Sequence, residues 1–357
     1  DLIRDQLDSR MSAVLDHGRF ILGPEVSELE EILANYVKVN HCVTVSSGTD
    51  SLLIALMALG VSSNDEVITV PYTWISTAEV ISLLGAKPVF VDVLPNTFNM
   101  DPTKLEDAIT PRTKAIMPVS IYGQPADMET INAIANRKGI PVIEDAAQSF
   151  GSIYKGKKSC ALSTIGSTSF FPSKPLGCFG DGGALFTDDD ALADKFRQIR
   201  VHGQQRKHHH PIVGINGRMD TLQAAILLAI FELFPEEVAK RDRLGQRYSS
   251  GLSGLEGLKT PEIGTDNTSV YAQYTILNDN RDDLQLHLKE KDIPSVPYYS
   301  VPLHLQQVFA PLGYDPGDFP VTESVSGKCL SLPMSPYLRE EEQGLVISTI
   351  TEALVNQ

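Results

Sequence analysis

The residue best placed for covalent chemistry is Lys174, in the run STSFFPSKPLGCFGDGGALF. It lies between two apolar β-rich stretches, with no acid within six residues on either side. Such an amine is partly enclosed, and desolvation favours the neutral form that a Schiff base needs. Taken alone, a lysine near Gly177, Gly180, Gly182 and Gly183 also suits an ordinary surface loop. Asp145, in PVIEDAAQS, closes a buried-strand pattern. Open α/β sheets place ligands at that end of a strand. A carboxylate there can pair with a protonated ring nitrogen and keep the ring an electron sink. A plain helix N-cap is the other reading of an isolated Asp. Glu144 is expected on the opposite face. Ser46-Ser47-Gly48-Thr49-Asp50 opens a helical pattern, and such a turn offers amides and hydroxyls to a phosphate. Ordinary N-capping explains it equally. Trp74, the only tryptophan, follows the strand DEVITV and can stack on a planar ring or simply pack.

These groups need a scaffold, and the first 200 residues supply one. DEVITV, KPVFVDV, TKAIMPVSIYG and PVIEDAA are strand-like, each apolar almost throughout. Helical patterns alternate with them: TWISTAEVISLLG, DPTKLEDAI with Asp101 as N-cap and Pro102 at the first helical position, and ADMETINAIANRKG. This alternation predicts a mostly parallel sheet covered on both faces. A polar helix is expected within Asp188–Gly203, then one long helix from about Asp220 to Tyr248. The Gly-rich run Ser249–Thr268 marks a composition break. Two units follow: 1–248, large, and 249–357, small and α+β. The first twenty or so residues are expected to pack on the small unit.

The chain has 357 residues, 30 Lys plus Arg against 45 Asp plus Glu, and a formal charge of -15. That balance argues against nucleic acid or an anionic membrane surface as partner. No apolar run approaches the ~18 residues of a membrane span. The opening DLIRDQLDSR is polar, unlike a secretory leader. The chain begins at Asp1 rather than Met, so a few preceding residues are expected to be missing. The four cysteines, Cys42, Cys160, Cys178 and Cys329, form no close pair, and a reducing cytoplasm is expected. Cys178, in the Gly-rich loop, reads as a space-filling residue or a reactive thiol.

Three motifs are set aside. GSIYKGKKS has Lys158 where a P-loop needs Ser or Thr, and reads as a hairpin turn. No GxGxxG follows the early strands, so a dinucleotide site has no support. His208, His209 and His210 lack a nearby carboxylate or Cys, and no metal is expected.

Together, SSGTDSL, PYTW, VIEDAAQSFG, SFFPSKPLGCFGDGGA and GINGRMDTLQAA resemble the DegT/DnrJ/EryC1/StrS family of pyridoxal-phosphate-dependent nucleotide-sugar aminotransferases. The match runs over nearly the whole chain. It implies the aspartate-aminotransferase fold (fold type I) and a homodimer whose two active sites are shared. It also implies roles. Lys174 forms the Schiff base and moves the proton, Asp145 pairs with the ring nitrogen, and Gln148 bonds the phenolic oxygen. Trp74 stacks on the ring. Gly48 or Thr49, the backbone of Asp50, and Ser169 hold the phosphate, which Asn216 reaches from the neighbouring subunit. Glutamate is the implied amino donor. The runs YGQPAD, GRMDTLQAAILL and SLPMSPYL are closest to enzymes that aminate C3 of a UDP-linked 2-acetamido-3-oxo-hexuronic acid for surface polysaccharide. There Arg218 meets the sugar carboxylate. Tyr298 stands where that subgroup has a histidine, and His304 is expected to approach the site. Another UDP- or dTDP-ketosugar, or a regulatory relative without turnover, are the alternatives.

The residues add one independent sign of an anionic substrate. No acid occurs from Lys195 to Met219, a segment of formal charge +6 that includes Arg206, Lys207 and Arg218. It reads as a basic loop drawing in a nucleotide diphosphate, or as a solvated face.

Overall fold

The computed structural model describes residues 2–355. Two helices, α1 (Arg4–His17) and α2 (Pro24–Val37), lead into β1 (His41–Val45) and α3 (Gly48–Ala58). Alternation follows: β2 (Glu66–Thr69), α4 (Ser76–Leu83), β3 (Lys87–Phe90), α5 (Leu105–Ala108), β4 (Thr113–Ile116), α6 (Met128–Lys138) and β5 (Ile143–Asp145). Short β6 (Ile153–Tyr154) and β7 (Lys157–Lys158) pair antiparallel, so the P-loop look-alike is a hairpin. Then come β8 (Ile165–Ser169), β9 (Gly183–Thr187) and α7 (Asp190–Ile199).

Seven of these strands lie side by side as β3-β2-β4-β5-β8-β9-β1. The four-stranded and three-stranded parts meet where Val119 bridges Asp145 and Ile116 bridges Val142, both parallel. Only β9 runs antiparallel to its neighbours. Consecutive residues of β2 explain the nearly continuous apolar pattern. Val67 and Ile68 are both fully buried, in separate clusters on the two faces. Each such side chain contributes about 1.5–3 kcal/mol. Asp101 caps a short 3-10 turn at Pro102–Lys104, and α5 follows only from Leu105, whereas α6 begins and ends where the sequence says. In α6, Asp127 accepts from the Thr130 amide, and Gly139 takes the left-handed conformation (φ 66) that stops the helix.

The expected long helix is two. α8 (Thr221–Phe231) ends before α9 (Phe234–Gly251), which has Pro235 in its first turn. Proline lacks an N–H and its ring clashes with the preceding turn, so it starts a helix more readily than it continues one. The remainder is β10 (Leu258–Lys259), β11 (Tyr274–Asn278), α10 (Arg281–Glu290), α11 (Pro320–Lys328), β12 (Cys329–Leu332) and α12 (Glu340–Val355). β10, β11 and β12 form an antiparallel sheet. Tyr248, Leu252, Tyr274, Leu284, Leu330 and Ile350 share a core beside it. We propose the division of the chain within 249–268, although α9 runs into that segment. One expectation is corrected: α1 packs on α8, with Leu7 against Ile226 and Ala229, rather than on the C-terminal unit. The apolar side of α8 needs cover, and α1 and α2 supply it.

The basic segment is also partly structural. Arg200 is buried, bonding Glu30 at 2.5 Å and the Thr44 carbonyl at 2.8 Å. Glu30 in turn accepts from the amide and hydroxyl of Thr44, each at 2.9 Å. Lys195 donates to the Ala58 carbonyl, and Arg197 pairs with Asp194. Removing one partner of a buried pair leaves an uncompensated charge, which costs about 3–5 kcal/mol. Arg200→Ala is therefore expected to lower stability by about that amount, read as a fall in the urea midpoint with the slope unchanged. An unchanged midpoint would show the pair to be idle.

Candidate active site

A cavity of about 390 Å³ opens at the carboxyl ends of β5 and β8. Gly48, Thr49, Trp74, Asp145, Gln148, Ser169, Lys174 and Tyr298 all line it. Gly48, Trp74, Asp145 and Ser169 are brought together because the parallel strands turn their carboxyl ends to the same side, and Tyr298 joins them from the C-terminal unit.

The start of α3 forms one wall. Ser47 is extended and caps the helix, its side chain accepting from the Asp50 amide at 3.0 Å. The helix start lies so close to β8 that a Cβ on Gly48 would stand 2.6 Å from Ser169 Cβ. A Cβ on Gly183 would stand 2.5 Å from the Ser47 carbonyl oxygen. Only glycine allows this approach. Ser51 holds it from within the helix, bonding the Gly48 carbonyl at 2.7 Å and pairing with Ser167 of β8. Thr49 also meets Ser76, at the start of α4, hydroxyl to hydroxyl at 2.9 Å.

Lys174 stands in the loop beyond β8, its amide bonded to the Phe171 carbonyl at 2.8 Å. Its side chain is half-buried at the cavity wall. Burial pulls the ammonium below its usual range, and the Asp145 carboxylate opposes that. Asp145 is buried. Thr77 donates to it at 2.8 Å and the Ala147 amide at 3.2 Å. Burial pushes its carboxyl above the usual range; Thr77, Ala147 and Lys174 hold it down, in that order. Gln148 accepts from the Tyr122 amide at 2.7 Å and donates to the Tyr299 hydroxyl at 3.0 Å. Trp74 is 57% exposed, with Tyr299's ring centred 6.1 Å away. Tyr298 enters through its backbone: its carbonyl accepts from Tyr122 and, at 2.9 Å, from Tyr72.

Four expected residues do not line this cavity. The Asp50 amide is committed to Ser47, and its carboxylate takes the Ser46 hydroxyl. Asn216 is exposed, bridged to Val201 across an outward loop. Arg218 follows on the same segment, anchored where Ser46 donates to the Gly217 carbonyl at 2.9 Å. The expected approach of His304 is corrected. Its side chain is fully buried, 3.1 Å from Glu323 of α11 and packed on Phe319, a member of an apolar cluster with Phe90, Leu303 and Phe309. Cys178 is buried and bonds two carbonyls, so it fills space. Among the described residues no His, Cys, Asp or Glu cluster could hold a metal. Sequence reading missed Ser76, Thr77, Asp181 and Tyr299. Thr77 lies three residues beyond Trp74, and Tyr299 adjoins Tyr298; those spacings were the available signals.

Comparison with known proteins agrees with this geometry. The profile of the DegT/DnrJ/EryC1/StrS aminotransferase family matches residues 1–351. The chain belongs to that family. It is 53% identical over 349 residues to UDP-2-acetamido-2-deoxy-3-oxo-D-glucuronate aminotransferase of Pseudomonas aeruginosa, covering 98% of this chain and 96% of that one. It is 47% identical over 354 residues to a "pleiotropic regulatory protein" of Geobacillus stearothermophilus, covering 98% and 95%. Among solved structures, ntda of Bacillus subtilis with bound cofactor PMP is 33% identical with a TM-score of 0.94, covering 99% of this chain and 82% of that one. The fold is therefore fold type I, the chain is an aminotransferase, and pyridoxal phosphate is its cofactor.

The residues present fit that cofactor. Gly48, Thr49 and Ser169 line the cavity at the start of α3, and a helix N-terminus suits a phosphate. A buried carboxylate and an amine whose ammonium form burial disfavours share that cavity, and an exposed indole stands at its wall. Thr77 offsets part of the burial of Asp145. A hydrogen bond to a charged group is worth about 1.5–3 kcal/mol, and one pH unit corresponds to about 1.4 kcal/mol. Thr77→Val should move the acid limb of cofactor retention upward by about one pH unit, followed by absorbance. An unmoved limb would remove Thr77 from that role.

Proposed function

We propose that the chain aminates C3 of a UDP-linked 2-acetamido-2-deoxy-3-oxo-hexuronic acid, using glutamate, for surface polysaccharide. The observation that carries the carboxylated sugar is Arg218. Its Nε is buried without a partner, and no carboxylate among the described residues lies within ion-pair distance. A guanidinium left unpaired suits a bidentate carboxylate. The 53% identity to the glucuronate enzyme supports the same sugar.

Bound pyridoxal phosphate supplies an electron sink that carries the amino group from donor to acceptor ketone. The chain's own residues do the rest. Lys174 Nζ, whose ammonium form burial disfavours, would hold the cofactor and move the proton between substrate carbon and nitrogen. Asp145 Oδ atoms, steadied by Thr77 and Ala147, would pair with the ring nitrogen. Trp74 would stack on the ring, Gln148 would bond its oxygen, and Gly48, Thr49 and Ser169, which line the same cavity, would hold the phosphate.

The working unit is a homodimer, with Asn216 and Arg218 of one protomer reaching its partner's cavity. Their absence from the cavity of their own chain supports this, as do the exposed apolar side chains Phe171, Phe179 and Val213. No helix among the described residues is long and apolar enough to cross a membrane. All four cysteines are unpaired. Unpaired cysteines are the ordinary state in a reducing cytoplasm, where we place the enzyme.

Arg218→Ala should lower kcat/KM for the uronic-acid substrate tens-fold or more. Little loss would favour a sugar without a carboxylate. With Lys195, Arg197 and Arg200 engaged elsewhere, steering falls to the loop tip. Neutralising Arg206, Lys207 and His208 to His210 should raise the sugar's KM, more at low salt; an unchanged KM refutes steering. The name of the Geobacillus relative favours one second reading, a regulatory protein without turnover. Added glutamate that leaves the cofactor's absorbance unchanged would support it.

A further inference from the structure

Glu144 is the other buried carboxylate of β5, and the machinery above leaves it unused. It is fully buried and leaves the strand on the face away from Asp145. One oxygen accepts from the Ser120 hydroxyl at 3.1 Å and the Ser159 hydroxyl at 2.7 Å; the other accepts from the Cys160 amide at 2.8 Å. Two of these contacts lead to cofactor residues. The Ser120 amide donates to the Asp145 carbonyl at 3.0 Å. Ser159 also meets the Ser149 hydroxyl at 2.7 Å, directly beside Gln148. A carboxylate in this place binds the end of β4 and the β6–β7 hairpin to the strand and turn that carry Asp145 and Gln148.

We propose that Glu144 is a positioning residue: through Ser120 and Ser159 it fixes Asp145 and Gln148, and as a second negative charge behind Asp145 it strengthens the hold on a cationic ring nitrogen. The groups facing it are few. Asp145 adjoins it on β5, with Lys174 beyond. The Cys160 thiol faces it from the hairpin side, with Cys42 behind. No cation pairs with Glu144 among the described residues, so its charge is felt mainly by Asp145. Burial pushes its carboxyl up to about 7; the donors Ser159, Cys160 and Ser120 oppose this, and the Asp145 charge adds to it. The second charge is thus present above about pH 7 and absent well below it.

The stability consequence has a definite sign. The folded state favours neutral Glu144. Its contribution is fully present below the ordinary value of 4.5 and is lost as pH rises through about 7. Glu144→Gln does not ionise, so its thermal midpoint should fall less than the parent's between those pH values.

The decisive measurement is cofactor affinity. It rests on the cofactor reading of the site and not on which sugar is aminated. Pyridoxal phosphate is titrated into the cofactor-free full chain, and quenching of Trp74, the only tryptophan, gives Kd. For Glu144→Gln the ratio of Kd to the parent's should be about tenfold at pH 8.5, corresponding to about one pK unit of coupling, and fall toward one at pH 5.5. A ratio independent of pH, at any value, would overturn the charge role. Ser159→Ala keeps the carboxylate but removes a donor, so the parent's pH dependence should move upward by about one pH unit; an unmoved curve overturns the proposal even where Glu144→Gln fails to fold. Asp145→Asn is the control. If it binds as tightly as the parent, the cofactor reading fails rather than the inference.

Discussion

The structure turns on keeping Asp145 ionised while it is buried. A carboxylate taken out of water tends to neutralise, and a neutral Asp145 cannot hold a cationic ring nitrogen. Three groups oppose that tendency: the Thr77 hydroxyl, the Ala147 amide and the Lys174 ammonium. They come from α4, the turn after β5 and the loop after β8. Much of the fold can be read as the means of bringing those three segments to one strand end. The same burial that raises Asp145 lowers Lys174, so one cavity disfavours the charged form of both groups.

Much of this was legible because it is local. Strands buried on both faces are apolar throughout, and β2, β3 and β5 could be read as runs. Lys174 stood out because its flanks hold no acid, and Asp145 because it ends such a run. What stayed hidden was long-range or competitive. The Asp50 amide, expected on a phosphate, is bonded to the Ser47 cap. His304 lies in a sequence that resembles a site, but Glu323 and Phe319 draw it into a core. Thr77 and Tyr299 act through partners 68 and 151 residues away, a separation no spacing rule spans.

The charge balance has the same lesson. A stretch of 25 residues without acid looks like one basic surface in a chain of -15. In space it divides. Arg200 is sealed against Glu30, Lys195 closes the end of α3, and Arg197 answers Asp194. Only the outward loop with Arg206 and Lys207, and the unpaired Arg218, keep charge to offer a substrate. Net charge along a sequence sets an upper limit on a field; burial decides how much survives.

The cavity is also incomplete without the C-terminal unit. Tyr298 and Tyr299 arrive from residues beyond 249–268, and the Tyr298 carbonyl is held by Tyr72 and Tyr122 of the large sheet. A second anchor lies at α11. Asp92, just past β3, accepts from the amides of Val321 and Thr322 and from the Thr322 hydroxyl at 2.8 Å. A carboxylate at a helix start satisfies free amides and the positive dipole end together, and these bonds hold its carboxyl below the usual range against burial. Because Asp92 and Tyr72 each follow a neighbouring parallel strand, both anchors rest on the rigid edge β3–β2. The docked segment then places Tyr299 against Gln148 and Trp74, which fixes that wall of the cavity before any substrate arrives.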